Sequence, residues 1–191
     1  MNLKVGLLNN VDIQFVFTPY GHVETRDSGT RTIASGFSDD TQVRLKINLW
    51  GNDGGSTAFA IMPFVKVPTG ARGLTNNHVE GGLILPLAFD LPSDFSLGTM
   101  VEFDLVYDDD RRNYGFDVVH TATLGHPIIG HLSGYIEYVG NVPRIGSYRA
   151  IASGGLSYQL AKNWVVDSGG TLGLAGAVDD MTVFVGTSLR F

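Results

Sequence analysis

Charged side chains recur at every second position of segments that are otherwise aliphatic in this sequence of 191 residues. Segment 42–49 shows the pattern most clearly, because its even positions are polar or charged and its odd positions are aliphatic. Successive side chains of a β-strand point to opposite faces, so such a strand has one charged face and one apolar face. The chemistry predicted for the charged face is electrostatic attraction and orientation of solutes.

Of the ionisable residues that fall on the charged face when this alternation is followed along the chain, ten are predicted to line a pore. They are Arg44, Lys46, Lys66, Glu80, Glu102, Asp104, Asp117, Glu137, Arg149 and Asp167. The first three lie on adjacent predicted strands and the next four strands carry carboxylates, which predicts a basic wall opposite an acidic wall. The alternative is a salt-bridged interior that conducts little, since buried charges are most often simply paired.

Catalytic and metal chemistry is not indicated, and the chain is predicted not to be an enzyme. No G-x-S-x-G nucleophile elbow occurs. His126 and His131 flank a predicted turn but lack a carboxylate at a suitable spacing for a metal site. The aspartates at 108–110 lack the glycine and glutamate of a calcium loop. Without cysteine there is no disulfide or thiolate site, and neither a cofactor nor a metal is predicted.

The composition excludes two further classes. The net charge is −6 and no cluster of lysine and arginine stands out, so the electrostatic signature of nucleic-acid binding is missing. No apolar run approaches the roughly 18 residues that a membrane-spanning helix requires. Charged residues make up only 17% of the chain, which is low for a soluble protein.

Eleven strands are predicted to position the charged residues. They span approximately 2–8, 11–20, 41–50, 56–67, 78–89, 94–107, 113–124, 131–142, 147–160, 163–174 and 180–191. Short connections alternate with longer, more polar ones, as in outer-membrane barrels. We therefore expect an all-β fold, an antiparallel up-and-down transmembrane β-barrel of about 11–12 strands, in one domain over residues 1–191. Segment 21–40 could hide further strand material, since Val23 and Thr25 alternate with Glu24 and Arg26.

The apolar face is predicted to contact lipid. An interior enclosed by eleven or twelve strands is too wide for side chains to fill, and the sequence offers no helix as a plug. Aromatic residues fall near both ends of the predicted strands on the apolar face, like the two girdles at membrane interfaces. These residues are Phe89, Phe95, Tyr158, Trp164 and Phe191 at one end, and Tyr107, Tyr114, Tyr138 and Tyr148 at the other. A soluble ligand-binding barrel with an apolar lumen is the alternative.

The odd number of predicted strands gives a further expectation. Bacterial single-chain barrels have an even number of strands. Eleven strands that end in the periplasm therefore predict a truncation at the N-terminus that removed one strand and the signal peptide. A miscounted strand is the alternative explanation.

The C-terminal residues resemble the terminal signal of outer-membrane barrels, with Gly186, Leu189 and Phe191 in the matching positions. Phe184 departs from that pattern, which prefers a polar residue there. The signal implies recognition by the outer-membrane assembly machinery.

The whole chain is similar to the outer-membrane transporters of the "meta-pathway of phenol degradation" type. The resembling segments are Val5-Gly6-Leu7, Gly36-Phe37-Ser38-Asp39, Pro63-Phe64-Val65-Lys66-Val67-Pro68-Thr69-Gly70, Tyr135-Ile136-Glu137-Tyr138, Val166-Asp167-Ser168-Gly169 and Gly186-Thr187-Ser188-Leu189-Arg190-Phe191. The resemblance implies about twelve strands in a Gram-negative outer membrane and uptake of small, often aromatic, solutes. The leading hypothesis is a passive, porin-like channel; a structural or adhesive barrel with a closed lumen is the second.

Overall fold

The computed structural model describes residues 1–27, 30–37, 39–71, 74–75 and 77–191, without the side chains of 23–32 and 34. Thirteen strands are present in these residues. They are β1 (Asn2–Leu8), β2 (Val11–Val16), β3 (Gly21–Asp27), β4 (Thr30–Gly36), β5 (Thr41–Trp50), β6 (Thr57–Val67), β7 (Glu80–Asp90), β8 (Ser96–Asp108), β9 (Asn113–Ile129), β10 (Leu132–Val142), β11 (Arg149–Ala161), β12 (Trp164–Ala175) and β13 (Met181–Leu189). In the part of the chain described, no helix is long and apolar enough to cross a membrane.

Eleven of the strands form one antiparallel sheet in chain order, from β1 and β2 through β5 to β13, and β3 pairs with β4 in a separate hairpin. The predicted all-β, antiparallel, up-and-down fold of eleven strands is thus confirmed, and the sheet is consistent with a barrel. The hairpin lies in segment 21–40, where the sequence showed a short alternation. Only two boundaries differ from the predicted ones by more than two residues, since β2 ends at Val16 and β9 continues to Ile129.

The registers place the charged residues on a single face of the sheet. Side chains directly opposite each other in an antiparallel pair lie on the same face. One row of such positions crosses seven neighbouring strands: Lys4, Gln14, Arg44, Phe64, Gly82, Asp104 and Asp117. A slip of one residue between two strands would move every side chain of one strand to the other face. Because the pairing shows no such slip along this row, the charged positions of successive strands stay on one face.

Burial shows which face is concave. Buried side chains on the charged face include Gln14, Met62, Phe64, Glu80 and Ile84. The opposite face carries exposed aliphatic and aromatic side chains such as Val101, Ile136 and Val183, and Val185 is 86% exposed. The sheet therefore curves around its polar face and turns its apolar face outward. An apolar surface of this extent is expected at a membrane or protein interface rather than in water.

The sheet ends at two open edges. Within the described strands no hydrogen-bonded ladder joins β1 to β13. The two edge strands run in the same direction, since they are the first and eleventh members of a sheet in which every neighbour is antiparallel. The twelfth strand inferred from parity remains a prediction.

Candidate functional site

The concave face has an apolar centre between two cavities. Met62 and Phe64 of β6 pack against Ile84 of β7, and Met100 of β8 completes the cluster. A cavity of about 380 Å³ lies towards the longer loops and has Phe64 in its wall. A second cavity of about 250 Å³ lies towards the short turns, with Met100 in its wall. Along the strands, the concave face therefore presents a polar cavity, an apolar zone and a second cavity in turn.

Lys66 is the centre of an ion cluster at the loop end of β6. Its ammonium lies 3.0 Å from Oε2 of Glu80 on β7 and 3.9 Å from carboxylate oxygens of both Asp39 and Asp40. Glu80 also accepts the backbone N–H of Tyr107 on β8 at 3.0 Å. One cation thus faces three carboxylates, and the cluster joins strands β6, β7 and β8 to the segment before β5.

Asp40 ties two connecting segments together. It is only 1% exposed, and its Oδ1 accepts the backbone N–H of Gly70 at 2.9 Å. The neighbouring hydroxyls of Thr41 and Thr69 share a hydrogen bond of 2.7 Å. The segment before β5 therefore lies against the segment after β6, above the larger cavity. Asp39 and Asp40 were not among the predicted site residues, because they precede a strand and follow no alternation.

The acidic wall is built by β8 and β9. Glu102 and Asp104 project from one face of β8, and Asp104 pairs in register with Asp117 of β9. Oδ1 of Asp117 accepts the backbone N–H of Arg144 at 2.8 Å, and its Oδ2 lies 3.9 Å from Arg149. The larger cavity brings together five of the ten predicted residues: Lys66, Glu80, Glu102, Asp104 and Asp117.

Arg144 reaches this wall from the β10–β11 connection. Its guanidinium donates to Oδ1 of Asn113 at 2.9 Å and to the carbonyl of Tyr114 at 2.8 Å. The side chain crosses the space beside Gly115, where a Cβ atom would collide with the Cδ of Arg144. Alternation along a strand could not predict the direction of the Arg144 side chain, since this residue lies in a loop. The only indication in the sequence was Gly115, whose missing side chain leaves space for it.

The basic wall lies across the apolar centre from the acidic wall. Arg44 of β5 donates two hydrogen bonds to Oε1 of Gln42, at 2.6 and 3.0 Å, and Lys46 pairs in register with Asp12. Arg44 and Asp104 occupy one row and are separated by three strand spacings, roughly 14 Å along the sheet at about 4.8 Å each. In the residues described, neither Arg44, Lys46, Glu102 nor Asp104 has an ion-pair partner within 4.0 Å.

Two predicted acids lie further round the sheet. Glu137 of β10 accepts hydrogen bonds from the hydroxyls of Thr123 at 2.9 Å and Ser153 at 3.1 Å. Asp167 of β12 lies over Gly186, where a Cβ atom would be 2.6 Å from the carboxylate. The structure therefore does not bring Glu137 and Asp167 to the larger cavity.

The terminal strand explains the departure noted at Phe184. Phe184 pairs in register with Gly169, and its ring tip would lie 2.7 Å from a Cβ atom at that glycine. An inward aromatic ring is accommodated here because the facing position has no side chain. Leu189 and Phe191 are exposed on the outside.

His120 places a polar side chain on the mainly apolar outer face. Its register is regular, opposite Val101 and Gly140. Its Nε2 is 3.1 Å from the hydroxyl of Tyr148, which lies 2.6 Å from that of Tyr138. The missing side chain of Gly140 makes room for this contact.

An antiparallel sheet with an apolar convex face and a charged, cavity-bearing concave face is compatible with an outer-membrane β-barrel. The chain belongs to the family described as "Putative MetA-pathway of phenol degradation", whose model matches residues 2–191. No curated protein and no solved structure matches the chain.

Proposed function

We propose that this protein is a passive channel for small molecules in the outer membrane of a Gram-negative bacterium. The observation that carries the proposal is the separation of the two faces, with charges and cavities on the concave side and exposed aliphatic residues on the convex side. The family description associates the chain with phenol degradation, which favours small aromatic solutes. The ten predicted pore-lining residues would then contact the solute path.

A barrel with a closed lumen is the second candidate. The apolar cluster of Met62, Phe64 and Ile84 and the buried ion cluster of Lys66 favour it, because both occupy the concave face. Six of the ten predicted pore-lining residues have no ion-pair partner within 4.0 Å among the described residues. This favours the channel, since an interior that served only as a prop would pair its charges.

Recordings in planar lipid bilayers distinguish the two candidates. A channel gives discrete current steps when the purified, folded protein inserts, whereas a closed barrel inserts without steps. Vesicles containing the protein should also release or take up phenol-sized solutes faster than empty vesicles. Insertion without either signal would reject the channel.

The opposed walls predict a specific change in ion selectivity. Glu102→Gln should shift the reversal potential in a salt gradient towards anions, and Arg44→Gln should shift it towards cations. We expect each to change the permeability ratio about two- to fourfold, because a charge about 5–10 Å away in water contributes roughly 0.4–0.8 kcal/mol. Asp94→Asn, in a short turn between β7 and β8, is the matched control. Unchanged selectivity in both luminal variants would remove the opposed walls from the proposal.

A further inference from the structure

The larger cavity is strongly acidic. Among the described residues, its wall contains five carboxylates and one lysine, namely Asp39, Glu80, Glu102, Asp104, Asp117 and Lys66. Lys66 is already 3.0 Å from Glu80, and the Arg149 guanidinium lies 3.9 Å from Oδ2 of Asp117. The described side chains that line the cavity therefore carry more negative than positive charge.

Unpaired acceptor atoms gather at the same place. Among the described residues, four buried side-chain oxygens have no hydrogen-bond partner: Asp40 Oδ2, Thr75 Oγ1, Asp104 Oδ1 and Asn141 Oδ1. Thr75, Asp104 and Asn141 line the cavity, and the Asp40 side chain, fully shielded from solvent, faces Lys66 in the cavity wall at 3.9 Å. Buried polar atoms are normally paired, and these oxygens leave hydrogen-bond acceptors unused beside the cavity.

The dimensions and wall chemistry favour an organic cation over a metal ion. A volume of about 380 Å³ exceeds the space of one ion, given about 30 Å³ for a water molecule. No three His, Asp or Glu residues of the described chain are grouped so as to hold a metal ion. Phe64, Leu74 and Val106 provide apolar wall beside the carboxylates. An ammonium group on a short apolar body would satisfy both parts of the wall.

We propose that this cavity is a binding site for small organic ammonium ions, with Asp104 and Glu102 receiving the charged group and Phe64 contacting the apolar body. The site deepens the proposed function, on which it rests, by naming cationic amphiphiles as the solutes that the channel prefers. Binding itself does not depend on conductance and is measurable separately.

Three probes that share a phenylethyl body test the site by calorimetry on the folded protein in a nonionic detergent. They are the phenylethylammonium ion, neutral 2-phenylethanol and the 3-phenylpropanoate anion. The ammonium ion should bind at least about tenfold more tightly than either of the others, because charge-assisted hydrogen bonds are stronger than neutral ones. Equal affinities for all three probes, or no binding of the ammonium ion, would overturn the site.

Two variants locate the binding. Asp104→Asn and Glu102→Gln should each weaken ammonium binding several-fold, and Asp94→Asn should leave it unchanged. The use of two variants keeps the test valid if one fails to fold, and full affinity in the folded variant would place the ligand elsewhere and refute the proposal. Ammonium binding without bilayer current steps would reject the channel alone. Current steps without preference for the ammonium ion would reject this site alone.

Discussion

Replacing Lys66 with methionine is expected to lower the free energy of unfolding by about 3–5 kcal/mol, because removal of one partner from a buried ion pair is strongly destabilising. The side chains of Glu80 and Asp40 are 7% and 0% exposed, so both carboxylates are poorly solvated and depend on the nearby ammonium. Methionine keeps most of the volume of the lysine stem, which separates the loss of charge from the loss of packing. Urea unfolding of the protein in detergent micelles, followed by tryptophan fluorescence, measures the change.

Lys4→Met is the matched control for this experiment. Lys4 lies on the same face but on the exposed edge strand β1. Its replacement should change the free energy of unfolding by no more than about 0.5 kcal/mol, as is usual for surface substitutions. Similar values for the two variants would show that the Lys66 cluster is solvated and does not hold the loops in place.

Gly82→Ala should destabilise the sheet by about 1–3 kcal/mol, the range typical of overpacking. A Cβ atom at Gly82 would collide with the carbonyl oxygen of Phe103 and would lie 2.8 Å from the ring of Phe64. The carbonyl belongs to the sheet backbone and cannot rotate away, so the strands or the ring must move. The same unfolding experiment measures the effect, and a loss of the folded band in unheated gel electrophoresis would accompany it.

Gly98→Ala provides the comparison, because it makes the same chemical change on the same face. A Cβ atom at Gly98 meets no atom within 4 Å, and its substitution should be neutral or stabilising by up to about 1 kcal/mol. If Gly82→Ala were as well tolerated as Gly98→Ala, the close approach of Phe64 to β7 would be wrong.

The alternation of apolar and polar residues, with a period of two, was sufficient to predict most of the sheet. Once Arg44 is assigned to a face, the register carries the assignment across the row to Asp117, because regular antiparallel pairing preserves parity. The apolar centre was missed for a related reason. Segment 59–65 is apolar at both parities, so the inward Met62 and Phe64 could not be distinguished from their outward neighbours by periodicity.

The loop contributions to the site could not be predicted in this way. Asp40 and Arg144 lie between strands, where no repeat defines the direction of a side chain. Asp40 is placed by its bond to Gly70 and by its proximity to Lys66, and Arg144 by its bonds to Asn113 and Tyr114. Such contacts join residues that are far apart in the sequence and form only once the sheet has assembled.

The shared direction of β1 and β13 restricts how a cylinder could be completed. Direct joining of these two edges would create a parallel seam, with the slanted hydrogen bonds of that pattern, in a sheet whose described ladders are all antiparallel. An inserted strand of opposite polarity would instead extend the existing ladders on both sides. The positions of that strand opposite Lys4 on one flank and Gly186 on the other would face the concave side. Polar side chains are therefore expected at those positions and apolar side chains between them.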